Sequence, residues 1–144
     1  MESYTHNKLV KKIYNYIQTY KKVKKDLIEC DIFEVKGKVT RMLEGFIPDV
    51  YYDYNNLTII GEAKSENDLE RIHSIKQYKS YIHHLQKKID NGNEGILIIA
   101  VPWQASVSAY RIIKRLIINN SKIKIIVMNE VGVYKEYEKG KFNK

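Results

Sequence analysis

The chain switches between two periodicities, and the switch points outline its elements. Over residues 8–25, Leu9, Ile13, Tyr16, Ile17, Tyr20 and Val23 recur at three- and four-residue steps. Lys8, Lys11, Lys12, Lys21, Lys22 and Lys24 fall mostly outside that stripe, which predicts an amphipathic helix. "LIECDIFEV", Leu27 to Val35, alternates as a strand does, and Lys36-Gly37-Lys38 then turns the chain. A second strand is expected within Val39 to Tyr52, interrupted near Gly45 and Pro48, and a third over Leu57 to Lys64. The clearest helix spans Asp68 to Ile89, with Leu69, Ile72, Ile75, Ile82, Leu85 and Ile89 as its apolar stripe and Ser65 or Asn67 as its cap. Asn91-Gly92-Asn93 ends it. "GILIIAV" is apolar throughout, the pattern of a strand buried on both faces in a parallel or central position. Pro102 suits the first turn of a helix that reaches about Ile118. "KIKIIVM" is a last strand, and the segment from Asn129 reads as a polar, basic tail.

The order helix, three strands, helix, strand, helix, strand describes an α/β fold. A meander followed by right-handed crossovers gives a mixed sheet with helices on both faces. With 144 residues, no linker and no internal repeat, a single domain over residues 1–144 is expected, its core covering about residues 8–128. Folding at that size buries roughly 68–70% of the unfolded surface, so neither disulfides nor a structural metal is required. Cys30 is the single cysteine; it has no intramolecular partner and suits a reducing compartment. No apolar run approaches the roughly 18 residues of a membrane span. "MESYTHNKLVKK" lacks a signal-peptide core, so a soluble cytoplasmic protein with no membrane partner is expected.

Within "GFIPDVYYDYNNLTIIGEAK", residues 45–64, two runs of β-branched and aromatic residues carry charge where a buried strand would carry none. Asn tolerates the left-handed backbone of a type I′ turn, so Asn55-Asn56 is read as a two-residue hairpin loop. That loop pairs Tyr54 with Leu57 and, counting outward, Asp49 with Glu62, their Cβ atoms about 4.5–5.5 Å apart. Glu62 and Lys64, two apart in one strand, share a face. Facing carboxylates repel. A divalent cation offsets that repulsion, and hard oxygen donors supplemented by water and phosphate are what Mg²⁺ prefers. The competing reading leaves both acids in solvent with Lys64 bridging them. Val50, Ile59, Ile60 and Ala63 argue for burial instead.

At these residues the sequence resembles the PD-(D/E)xK nuclease superfamily, with Pro48-Asp49 as the first half of the motif and Glu62-Ala63-Lys64 as the second. The resemblance extends over roughly residues 8–101 and implies a restriction-endonuclease-like core of helix, three strands, helix and strand. Gln77 and Tyr81 in addition resemble the Q-x-x-x-Y motif of recombination exonucleases; i, i+4 spacing puts both on one helical face. Alternatively Tyr81 is core and Gln77 surface. The resemblance implies a Mg²⁺-dependent deoxyribonuclease, with Mn²⁺ able to substitute. It makes Asp49 and Glu62 metal ligands helped by the Ala63 carbonyl, and Lys64 the group that orients water and stabilises charge on the phosphate. It gives Gln77 and Tyr81 supporting roles in catalysis. Many members add an acid from the first helix, and none lies between Lys8 and Lys25. Glu2, His6, Glu29, Asp31, Glu34 and Glu44 are the candidate substitutes.

Charge adds a partner. A formal net charge of +8 and a pI near 9.4 favour a polyanion, DNA above all, with RNA the other nucleic acid to consider. Arg111, Lys114, Arg115, Lys135, Lys139 and Lys141 are candidate phosphate contacts. Trp103 is expected to pack, with base stacking as its other role. His83 and His84 are adjacent and so point about 100° apart on a helix, which rules against chelation by that pair. No Walker loop, dinucleotide fingerprint, nucleophile elbow or CxxC pair is present. A catalytically inactive nuclease-like module that binds nucleic acid or protein is the alternative function. Double-strand cutting by so small a domain would call for a homodimer.

Overall fold

The computed structural model describes residues 4–30, 43, 45–117 and 121–138. Its elements are α1 (Tyr4–Ile17), β1 (Glu29–Cys30), β2 (Val50–Tyr54), β3 (Leu57–Ala63), α2 (Ile72–Asp90), β4 (Glu94–Ala100), α3 (Ser106–Leu116), β5 (Lys124–Met128) and β6 (Val133–Tyr137). They form one six-stranded mixed sheet whose spatial order follows the chain. β1, β2 and β3 make an antiparallel meander, β3, β4 and β5 run parallel, and β6 returns antiparallel.

Both crossovers advance the sheet in the same direction, so their right-handedness puts α2 and α3 on one face. They cover Tyr51, Ile60, Leu97, Ile99, Ile125 and Val127. α1 covers the other face through Leu9, Val10, Ile13 and Ile17, packed on Val50, Tyr52, Ile59, Ile96 and Ile98. Gly61 lets it lie close. A Cβ there would stand 2.7 Å from Ile13 Cγ2 and 3.2 Å from Val50 Cβ.

The fold class is as expected, and several boundaries move. α1 stops at Ile17 rather than near Lys25, because the Thr19 hydroxyl donates to the Tyr16 carbonyl at 2.7 Å and competes with the helical ladder. Tyr20 and Val23 still pack against α1's core from turns, which extends the apolar stripe beyond the helix. α2 starts at Ile72, not Asp68, and neither Ser65 nor Asn67 caps it: Arg71 holds the N-cap without a side-chain bond. The Ser65 hydroxyl instead accepts the Asp68 N–H of a preceding turn at 3.2 Å. The buried face of α2 is Ser74, Gln77, Tyr78, Tyr81, Ile82 and Leu85, whereas Ile72 is 76% exposed. A stripe drawn through Ile and Leu alone is therefore rotated away from the true one. Residues 133–137, expected to belong to a polar tail, form β6, an edge strand with mostly exposed side chains. Trp103 is 65% exposed, against the packing role expected for it. The first predicted strand beyond Cys30, its turn at Lys36-Gly37-Lys38, and Lys139 and Lys141 lie outside the described residues.

Candidate active site

The hairpin fixes the geometry. Asn55 and Asn56 have φ of 52° and 67°, the left-handed pair that a type I′ turn needs. The resulting register pairs Tyr54 with Leu57 and runs without a slip to Val50 opposite Gly61. Continued one step beyond the strand, that register sets Asp49 opposite Glu62, and the two carboxyl groups interact. Here the ladder changes character. Position 48 would exchange two hydrogen bonds with Ala63 in this register, but proline has no N–H to return to the Ala63 carbonyl. The Ala63 N–H is taken by Asp49 Oδ2 at 2.9 Å. The strand end thus presents a carboxylate and a backbone carbonyl on one edge.

Glu62 and Lys64 project toward α2, which supplies Gln77 and Tyr81 one turn apart. Tyr81 donates its hydroxyl to Glu62 Oε1 at 2.9 Å, and Gln77 Nε2 donates to the Tyr81 oxygen at 3.2 Å. The Lys64 ammonium donates to Gln77 Oε1 and lies 3.8 Å from Glu62 Oε2. Glu62, Lys64, Gln77 and Tyr81 therefore close a ring of polar contacts at the boundary of sheet and helix. Both members of the Q-x-x-x-Y pair are buried, so the reading of Gln77 as a surface residue does not hold. Among the described residues, no buried side-chain nitrogen or oxygen lacks a partner.

From the other face, α1 brings His6, whose Nε2 lies 3.3 Å from Asp49 Oδ1. Of the two candidate substitutes among the described residues, His6 and Glu29, it is His6 that meets the site. Glu29 sits in β1 opposite Tyr51 and does not line the cleft. Glu2, Asp31, Glu34 and Glu44 lie outside the described residues. Thr5, Ile47, Ser65, Asp68 and Pro102 complete an open cleft of about 550 Å³ around Asp49, Glu62 and Lys64. Thr5 and Asp68 escaped sequence reasoning; an acid four residues beyond the E-x-K was the one signal available.

Electrostatics follow from burial. Glu62 is 5% exposed, and its carboxyl is held well above the ordinary range, first by desolvation and then by the Asp49 charge. Lys64 and the Tyr81 hydrogen bond pull the other way without cancelling that rise. Burial and the Glu62 charge also push the Tyr81 phenol up, so it remains a proton donor throughout the physiological range.

Oxygen donors dominate this set: two carboxylates and a strand-end carbonyl without a donor from Pro48. Such a set fits a hard cation that keeps waters and binds a phosphate. Among the described residues, no group of three or more His, Cys, Asp or Glu side chains is placed to hold a metal ion by itself. No helix among them is long and apolar enough to cross a membrane. Comparison with protein-family models, with curated proteins and with solved structures gave no match.

Proposed function

We propose that the chain is a divalent-metal-dependent deoxyribonuclease that hydrolyses phosphodiester bonds of DNA. The observation that carries this reading is the meeting of Asp49, Glu62 and Lys64 at the end of one hairpin, two acids and an ammonium in an open cleft. Asp49, Glu62 and the Ala63 carbonyl would hold Mg²⁺, with Mn²⁺ as a substitute. When bound, such an ion polarises a phosphoryl oxygen and makes a bound water more acidic.

The remaining roles belong to the chain's own atoms. Lys64 lines the cleft and has three N–H donors, so it can serve Gln77 while facing a phosphate oxygen. Its positive charge stabilises negative charge that grows on that phosphate in the transition state. Gln77 holds the ammonium in place by accepting from it. Tyr81 favours the ionised form of Glu62 by donating to it. His6 contacts the Asp49 carboxylate from α1 and limits the directions in which it turns.

A second reading, a nuclease-like module that binds nucleic acid or protein without cutting, draws on the presence of a histidine where an acid of α1 would stand. One assay separates the two. Wild type, Asp49→Ala and Lys64→Ala are incubated with linear, circular, branched and single-stranded DNA, and with RNA, in Mg²⁺ or Mn²⁺. Cleavage by wild type that both variants lose supports the nuclease. Equal activity in the three proteins, or none on any substrate, sinks it. Cutting both strands of a duplex would bring two copies together, and analytical ultracentrifugation with bound DNA tests that.

A further inference from the structure

Away from the cleft, α3 and β6 enclose a groove of about 710 Å³ lined by Val107, Tyr110, Arg111, Lys114, Arg115, Tyr134 and Lys135. Four of these residues are cations and none is an acid. They come from two elements. Val127 pairs with Lys135 and Ile125 with Tyr137, which turns both β6 side chains toward the face that α3 covers. Glu136, between them, faces the α1 side, where it accepts from Tyr16 and pairs with Lys124.

Aromatic rings order the cationic heads. Lys114 lies over the Tyr137 ring at 4.8 Å and over Tyr110 at 5.6 Å, and Lys135 lies over Tyr110 at 4.7 Å. Complementing the helix C-terminal dipole accounts for Lys114 and Arg115 in the last turn of α3. It accounts for neither Arg111, a turn earlier, nor Lys135, on another element. A groove that gathers like charges without a counter-acid fits a polyanion.

Groove and cleft share no lining residue, but the chain leads directly from one to the other. Pro102 lines the cleft, Trp103 follows it, and α3 then runs back along the sheet through Val107 and Arg111 to Lys114. At 1.5 Å per residue that path is on the order of 18 Å, room for about five nucleotides at the per-strand spacing of DNA. Trp103 stands at the junction with its side chain largely in solvent, its backbone N–H donating to Glu130 at 2.6 Å. Tyr134 is 42% exposed further along. Exposed rings beside ordered cations suit unpaired bases, which stack on them.

We infer that the α3–β6 groove is a binding track for single-stranded DNA leaving the cleft. Arg111, Lys114, Arg115 and Lys135 hold its phosphates, and Trp103 stacks on a base at the cleft exit. The inference rests on the nuclease reading for the direction of the strand; the groove's affinity is measured without any cleavage.

Anisotropy of fluorescein-labelled dT20 in EDTA, from 50 to 200 mM NaCl, tests it. The combined Arg111→Ala, Lys114→Ala, Lys135→Ala variant should bind at least tenfold more weakly. Its slope of log K against log salt should be shallower by about 2, because each cation removed from a single-strand phosphate takes about 0.7 off the slope. Trp103→Ala should weaken binding about fivefold or more with an unchanged slope. Arg111→Gln with Lys135→Gln, folding checked by circular dichroism, gives the same direction should the triple variant fail to fold. Wild-type affinity and slope in the groove variants would overturn the track. So would equal binding of polyglutamate and dT20, since it would leave a general polyanion surface. Mg²⁺-dependent cleavage of dT20 by wild type is scored separately, so loss of the nuclease reading and loss of the track give different results.

Discussion

Tyr81 on α2 donates a hydrogen bond to Glu62 Oε1 at 2.9 Å, and both groups are almost wholly withdrawn from water. The helix thereby supplies one of the two interactions that favour a charged Glu62, the other coming from Lys64. Tyr81→Phe keeps the ring and removes this donor, so the Glu62 carboxyl rises further. A higher pKa keeps Glu62 protonated to higher pH. The acidic limb of the pH–rate profile for DNA cleavage should move upward in Tyr81→Phe, and activity should recover at alkaline pH. A profile superimposable on wild type would remove Tyr81 from the site's function.

Burial and the Asp49 charge make Glu62 a liability in the metal-free protein. The folded state binds the Glu62 proton more tightly than the unfolded state does. Its contribution is therefore complete below the ordinary value of about 4.3 and is lost as pH rises through the raised folded value. Glu62→Gln carries no such loss and its amide still accepts from Tyr81. In EDTA the variant should melt at a similar temperature to wild type near pH 4 and several degrees above it at pH 7, about 2–8 °C for each kcal/mol. Mg²⁺ should reverse the order. At a hundredfold excess over Kd it adds about 2.7 kcal/mol to wild type, on the order of 10 °C, and little to the variant. Melting curves with and without Mg²⁺ measure both.

Lys64 is seated by Gln77, and the two should fail differently. Lys64→Ala removes the charge and should lower kcat about 10²–10³-fold, in the range of a lost electrostatic donor. Gln77→Ala leaves the ammonium unseated and should cost about 10–100-fold, as removing an orienting partner does. Lys64→Arg keeps the charge but offers a planar fork to a seat shaped for an ammonium, so it should recover little. Single-turnover cleavage rates at saturating Mg²⁺ distinguish the three.

The Asn55-Asn56 turn sets the register on which the site depends. Asn56 has φ of 67°, where glycine carries no steric penalty, so Asn56→Gly should stabilise the protein by up to about 1 kcal/mol without loss of cleavage. Asn56→Val demands the same backbone of a β-branched residue and should lower the melting temperature and the rate together. Thermal melts and initial rates on one DNA substrate check both variants.

Much of this arrangement was legible because it rests on local rules. A two-residue turn dictates which residues face each other, so the Asp49–Glu62 pairing follows from Asn55-Asn56 without tertiary knowledge. The i, i+4 spacing of Gln77 and Tyr81 likewise places both on one face. What the sequence hid came from tertiary packing. α2's core face is half polar: Ser74, Gln77 and the tyrosines turn inward, Gln77 and Tyr81 to meet Lys64 and Glu62 and Tyr78 to reach the Leu69 carbonyl, whereas hydropathy alone pointed to Ile72. β6 was hidden because an edge strand with exposed side chains has little apolar alternation to display. His6 was one of several candidates until α1 was docked on the sheet, a step that no periodicity encodes.

That docking depends on an atom the chain does not have. At Gly61 the sheet offers α1 a dimple in place of a side chain, and Ile13 settles into it. α1 carries His6 near its first turn and Ile13 about two turns later, so the helix works as a lever whose fulcrum is Gly61. A single methyl at the fulcrum would stand 2.7 Å from Ile13 Cγ2, so Ile13 must yield, and Gly61→Ala is expected to shift His6 relative to Asp49. The reach of the cleft is therefore tuned from beneath the helix, by a residue on the far face of the sheet from Gln77 and Tyr81.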